Sequence, residues 1–333
     1  MARMVALLPP CAAMKVRVPA DVKAFVDEHD LTAKPSGAST RRNLACIGAF
    51  VAIAVAAARV DHPITWVGAW LVQATLLSGS YSAMHEATHG NMYRSRSANR
   101  AWGVFWASTI LISHSSYRAF HLNHHANTRV ELGKPQVLFN TRPGMLAGFP
   151  VIGPLFVVTF VVYSVLAALG KYPYFVRNAV QGARMRQDAL VHLALLAIVS
   201  WCLVTAQPVP LLSAWLIPVA LYYAVVYPTV TLPEHYGMPE SDDPFETTRT
   251  MVGWRMFQYF YWNNNLHAAH HLYPAVPWDK VPVLDEYVRD RNTCVVRYTE
   301  FVGALIDDVA LRRIPPPGPC GEPVPRLAPL LAD

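Results

Sequence analysis

The chain is short of charge. Only 15% of its 333 residues are Asp, Glu, Lys or Arg, where an ordinary soluble domain has roughly a quarter. With 53% hydrophobic residues and a mean hydropathy of +0.23, that shortage points away from a soluble domain and toward an integral membrane protein. Cysteine is scarce as well. Cys11, Cys46, Cys202, Cys294 and Cys320 lie far apart without a CxxC pair, so no disulfide framework, rubredoxin-type iron knuckle or zinc ribbon is expected. Flavin fingerprints, a haem-binding module and iron–sulfur cysteines are all missing from the pattern. The opening MARMVALLPPCAAMKVRV holds an apolar stretch too short for a signal-peptide core, and the apolar runs show no internal repeat. The net charge of +6 and pI near 9.1 could indicate nucleic acid, but the basic residues sit on loops between apolar runs. Positively charged cytoplasmic loops account for that distribution, and no nucleic-acid partner is expected.

What the chain does have is long apolar runs, at about Asn43 to Val60, Ile64 to Met84, Trp102 to Ser113, Met145 to Gly170, Ala189 to Ala206 and Leu211 to Leu232. A bilayer core takes ~20 helical residues, so the run from Trp102 should lie in the interface or re-enter. Groups of one site must also share a side of the membrane. The run from Met145, interrupted by Pro150 and Pro154 and flanked by Arg142 and Lys171, is therefore expected to stop short of a full crossing. The expected fold is an all-α integral membrane protein with four transmembrane helices in two hairpins, interfacial or re-entrant helices, and a cytoplasmic histidine-rich cap. Both termini are placed on the cytoplasmic side by the positive loops. Residues 1–41 are read as an N-terminal cytoplasmic segment, 42–313 as the membrane domain, and the proline-rich 314–333 as a disordered tail.

Histidine is the residue in excess. Nine of the thirteen fall in four clusters: HEATH (His85, His89), HLNHH (His121, His124, His125), EHYG (His235) and HAAHH (His267, His270, His271). Positions i, i+3 and i+4 share a helix face, so each HxxHH is expected to aim three imidazoles one way. One zinc closes with about four ligands, whereas two metals could use eight or nine nitrogens, and the count favours a dinuclear site. HEATH alone is also the zinc-protease signature, but that reading leaves seven clustered histidines unused. A metal-binding or transport protein is a further alternative, although transport sites usually lie near the bilayer midplane. His29, His62, His114 and His192 are isolated and read as structural, with His114 near enough to HLNHH to support a ligand.

Imidazole suits iron. Glu86, Glu234, Glu131 and Asp243 are cast as acceptors for the free N–H of ligating histidines, fixing tautomer and orientation. Asn263 and Asn265 are candidates to orient a bound water, or simply to cap a helix or turn.

With HExxH, HxxHH, EHYG and HxxHH in that order around apolar hairpins, the chain resembles the membrane fatty acid desaturase and hydroxylase superfamily from about Arg42 to Arg289. The resemblance includes HEATHG, YRAFHLNHH and NNLHAAHHLYPAVPW, while PEHYG also looks like a motif of membrane alkane hydroxylases. It implies two irons held by the nine clustered histidines, O2 as co-substrate, and oxidation of an unactivated C–H bond in an apolar substrate. Fatty acyl desaturation leads, with hydroxylation or ketolation of an alkyl, acyl or carotenoid substrate as the alternative. The implied partners are the lipid bilayer and a ferredoxin, rubredoxin or cytochrome donor. In one place the chain departs from the family: ANTRVELGKPQV follows the second cluster where many acyl-lipid members carry a threonine and an aspartate-rich stretch. That departure leaves room for a specialised substrate.

Overall fold

The computed structural model describes residues 18–126, 128, 142–205, 209–235, 238, 241, 243–292 and 294–303, with side chains described from 151 onward in the segment that begins at 142. After a short helix α1 (Ala20–Glu28), α2 (Ser36–Val60) and α3 (Pro63–His89) form a hairpin. Its turn is built by Asp61 in the left-handed region (φ 46), by Pro63 at the first helical position, and by His62, whose side chain accepts from the Ile64 N–H at 3.2 Å. The boundary expected at residue 41 falls inside α2. Part of the supposed leading segment is folded into the cap, since Val22, Val26 and Leu31 pack with Leu272, Val281, Leu284 and Val288.

Helices α4 (Arg96–Thr109) and α5 (His114–Ala126) make the re-entrant hairpin. Its tip is held between two long helices, α7 (Ala179–Thr205) and α8 (Val209–His235). Trp215 Nε1 donates to the Thr109 carbonyl (2.8 Å), Tyr223 Oη to Ile110 (2.5 Å), and His192 Nε2 lies 2.9 Å from the Leu111 oxygen. His192 and Tyr223 stand near the middle of helices long enough to span a bilayer, so the tip of the run from Trp102 reaches in between them. Pro218 and Pro228 lack the N–H that a regular turn needs, and α8 absorbs each with a π turn just before it, Leu212–Leu216 and Tyr222–Val226.

Among the described residues, four helices are long and apolar enough to cross a membrane: Ser36–Val60, Val151–Ala168, Ala179–Thr205 and Val209–His235. The number agrees with expectation but one member does not. The run expected to be broken by Pro154 is a continuous helix, α6 (Arg142–Ala168). Conversely α3, although 27 residues long, is less apolar because its second half carries buried Ser78, Ser80, Ser82, His85 and Glu86. Ile152 packs on Met251 and Phe301 of the cap, and Ala167 packs with Phe175 and Met185 at the start of α7. Outward-facing Val55, Leu71, Val158, Val162, Ile198 and Val204 give the helices an apolar exterior suited to lipid.

The cap is made of α9 (Pro244–Thr247), β1 (Thr250–Val252), α10 (Arg255–Phe260), α11 (His267–Leu272), α12 (Val281–Val288) and β2 (Val295–Arg297), with the two strands parallel. Buried Arg42 on α2 lies over the Trp278 and Tyr259 rings (3.7 and 4.1 Å), fastening the cap to the membrane helices. Cys46 and Cys202 are free thiols, whereas Cys294 is disulfide-bonded, a pairing that the wide cysteine spacing did not predict.

Candidate metal centre

Three helix ends and one short helix bring the nine clustered histidines together. Helix α3 presents His85 and His89 one turn apart and stops at Gly90, whose φ of +74 the absence of a Cβ permits. Helix α5 presents His121, His124 and His125, α8 ends on His235, and α11 supplies His267, His270 and His271. The turn before α11 uses Trp262 and Asn263 in the left-handed region (φ 55 and 53) to swing that short helix under the others.

The nitrogens fall into two groups. In the first, ligand atoms of His85, His89, His121, His125 and His270 all lie within 4.8 Å of one another; the second holds His124, His235, His267 and His271 to the same limit. Within the first group His85 and His270 bring their Nε2 atoms to 2.8 Å, His89 and His121 to 3.0 Å, and His121 and His125 to 2.9 Å. In the second, Nε2 of His267 and His271 stand 3.2 Å apart. The groups adjoin, since the His125 and His271 rings stack with centroids 4.2 Å apart.

The HxxHH clusters do not aim all three imidazoles together, as expected from the sequence. In each, i and i+4 (His121 and His125; His267 and His271) join one group and i+3 (His124; His270) joins the other. Adjacent residues are about 100° apart around a helix, so the i+3 and i+4 side chains diverge enough to reach different centres.

Hydrogen bonds on the far nitrogens set the ring orientations. His235 Nδ1 donates to the Thr247 carbonyl (2.9 Å) and His267 Nδ1 to that of Asn264 (3.2 Å), which turns their Nε2 lone pairs inward. Tyr117 Oη is 3.3 Å from His121 Nδ1, and Thr128 Oγ1 is 3.3 Å from His271 Nδ1. Burial pushes His124 down to about 4 and His270 down to about 3, and it carries His121, His125, His267 and His271 well below the usual imidazole range. Neutral imidazole is the ligating form. Facing lone pairs at these distances repel each other unless protons or a cation lie between them, so the donor set fits two metal ions.

The expected supporting residues are placed differently from one another. Glu234 does reach the site, but its Oε2 sits 3.5 Å from His267 Nε2, the inward nitrogen, while Oε1 accepts from Tyr261 Oη (3.1 Å) and Asn264 Nδ2 (3.2 Å). Glu86 takes its hydrogen bond from the Trp278 backbone N–H (3.0 Å), joining the first cluster's helix to the chain beyond the last cluster. Asn91 reinforces that junction by donating to the Pro274 carbonyl at 2.9 Å. Asn263 donates to the Trp278 carbonyl and Asn265 to that of Met251, so both brace backbone. Asp243 caps α9, and Glu131 lies outside the described residues. His114 contacts Thr88 Oγ1 at 3.5 Å and belongs to neither group, His192 bridges Ser164 and Leu111, and His29 bonds the Phe25 carbonyl. Tyr117, Asn264 and Thr128 were not anticipated. Of these, Tyr117 carried a readable signal, standing four residues before His121 on the same helical face.

A sequence model of the family described as fatty acid desaturase matches residues 63–299. The chain belongs to the fatty acid desaturase family. Among its relatives, a probable fatty acid desaturase from Sorghum bicolor is 34% identical over 107 residues, 32% of this chain and 27% of the relative. The sphingolipid delta(4)-desaturase of Komagataella phaffii is 22% identical over 255 residues, covering 72% of this chain and 66% of the relative. A chloroplastic sn-2 acyl-lipid omega-3 desaturase of Arabidopsis thaliana is 28% identical over 110 residues, 32% of this chain and 24% of the relative. The chain thus spans about a quarter of the two plant proteins and just under two thirds of the yeast one. The family is one of oxidoreductases that generally use iron.

Proposed function

We propose that this protein uses dioxygen to oxidise an unactivated C–H bond of a lipid-like substrate, desaturating a fatty acyl chain. The observation that carries the reading is the division of nine buried or half-buried histidines into adjoining sets of five and four. His85, His89, His121, His125 and His270 would hold one iron and His124, His235, His267 and His271 the other. Iron there would supply the redox chemistry that activates dioxygen. The chain's own part is positioning. Carbonyl, tyrosine and threonine contacts hold the imidazoles in place, and Glu234 Oε2 offers a proton-holding oxygen beside the second set. On the membrane side Tyr81, Tyr117, Phe156 and Tyr227 form an aromatic wall, with Tyr81 and Tyr117 at 5.7 Å and Phe156 and Tyr227 at 4.8 Å between centroids. Such a wall excludes water and suits an alkyl chain.

Two electrons come from a separate ferredoxin, rubredoxin or cytochrome, and the clusters and both chain ends face the cytoplasm. The seating of His235, from the PEHYG segment, in the second set keeps hydroxylation or ketolation as the alternative outcome. Metal analysis of gently solubilised full-length protein, followed by lipid product analysis with a reducing partner, tests the reading. About two irons per chain and an alkene product are expected. About one zinc with little iron, after iron-replete expression, would overturn it in favour of a zinc enzyme.

A further inference from the structure

One cavity of about 450 Å³ opens beside the first histidine set and is lined by six cations, Lys34, Arg94, Arg96, Arg100, Arg118 and Arg184, with no Asp or Glu among the described residues of its wall. His89, a member of that set, lines it too. Positive loops explain cations on this side of a membrane protein, but not their convergence on one concave space that reaches the candidate metal ligands.

The cations are compensated unequally. Arg100 is paired with Asp188 at 2.5 Å, and Lys34 Nζ is spent on Asn91 Oδ1 (2.7 Å) and the Ala275 carbonyl (2.8 Å). Arg118 donates through Nε to the Thr88 carbonyl (3.1 Å), one residue before His89, and no hydrogen bond to its terminal nitrogens is found among the described residues. Burial, and after it the neighbouring Arg184, lower its affinity for its proton, so like charge stands beside it. A planar guanidinium held by one edge and open along the other suits a tetrahedral oxyanion.

We propose that this cavity binds the phosphate-bearing polar head of the substrate, with Arg118 and Arg184 as principal contacts, so that the attached chain starts beside the metal centre. The proposal rests on the reading that the histidine sets oxidise a lipid chain. A concave space of this size admits a head group, whereas the surface of an acidic electron-transfer protein would meet mainly its rim.

The test is binding to solubilised full-length protein, independent of turnover, with iron content measured in parallel. Dodecyl phosphate is expected to bind at least tenfold more tightly than dodecanol. Arg184→Glu should remove that preference and Arg184→Lys retain most of it, with iron per chain unchanged in both. Two further probes distinguish the sources of the phosphate: binding of free coenzyme A marks a nucleotide thioester, and binding to phosphatidic acid vesicles over phosphatidylcholine vesicles marks a phospholipid. Equal affinity for dodecyl phosphate and dodecanol, or a preference that survives Arg184→Glu, would overturn the proposal. So would an Arg184→Glu variant that loses binding of an acidic ferredoxin while still preferring dodecyl phosphate. Protein that carries two irons and forms product yet shows no phosphate preference sinks this inference alone; protein without iron that keeps the preference sinks the functional reading instead.

Discussion

The two histidine groups share α5 and α11 yet are held differently. In the first, four of five members come from α3 and α5, and only His270 comes from the cap. In the second, His124 is joined by His235 at the end of α8 and by His267 and His271 from α11, with backbone carbonyls of Thr247 and Asn264 fixing two of the rings. The second group also has a carboxylate at hand, Glu234. The first site is therefore set mainly by the membrane helices and is rich in nitrogen, while the second depends on how the cap folds back and has mixed donors within reach. Because α5 and α11 contribute to both, neither site can be moved without the other.

The largest effects should come from single ligands that belong to different groups. His270→Ala and His267→Ala are each expected to abolish turnover and to lower iron from about two per chain to about one, leaving the membrane fold assembled. Metal analysis and a spectrum of the residual iron check this, because the iron left behind should differ between the two variants. Wild-type product formation in either would remove these residues from the ligand set.

Next in size is Glu234→Gln. Supporting groups around a metal typically contribute 10–100-fold in affinity, and this carboxylate serves the second group alone. Chelator titration should show one iron released at roughly tenfold lower chelator concentration or less, and the other unchanged. Identical shifts in both irons would mean that Glu234 acts on the fold and not on one site. Tyr117→Phe is the counterpart for the first group, since it deletes only the hydroxyl near His121 Nδ1. A loss near the lower end of that range, about tenfold, is expected at the first iron only.

Much of this architecture could be read from residue pattern, and the exceptions have physical causes. Spacing within each cluster reports on one helix, so it located all nine imidazoles but not their division, which depends on where a second helix stands. The reach of Glu86 to Trp278 joins residues 192 positions apart, and local spacing carries no information about such a contact. Proline misled for a related reason. Pro150 and Pro154 read as interruptions of their run, yet α6 continues through them, and α8 accommodates Pro218 and Pro228 with π turns, a change of helix winding that residue type alone does not announce. The re-entrant run was legible because its length alone ruled out a crossing.

The smallest effect on metal binding, and the clearest control on the comparison, is His192→Ala. This histidine is buried in the membrane frame, where it joins Ser164 on α6 (2.8 Å) to the Leu111 oxygen at the re-entrant tip (2.9 Å). Leu111 has a φ of 56, a conformation that costs a non-glycine residue about 1–3 kcal/mol and persists only when its surroundings hold it. Removing the imidazole leaves the Leu111 oxygen and the Ser164 hydroxyl with a lost partner, a penalty of about 1–3 kcal/mol. The thermal midpoint in detergent should therefore fall while iron stays at about two per chain. Loss of iron together with the stability would show that the tip positions α5, and through it both groups, so that frame and site are one mechanical unit.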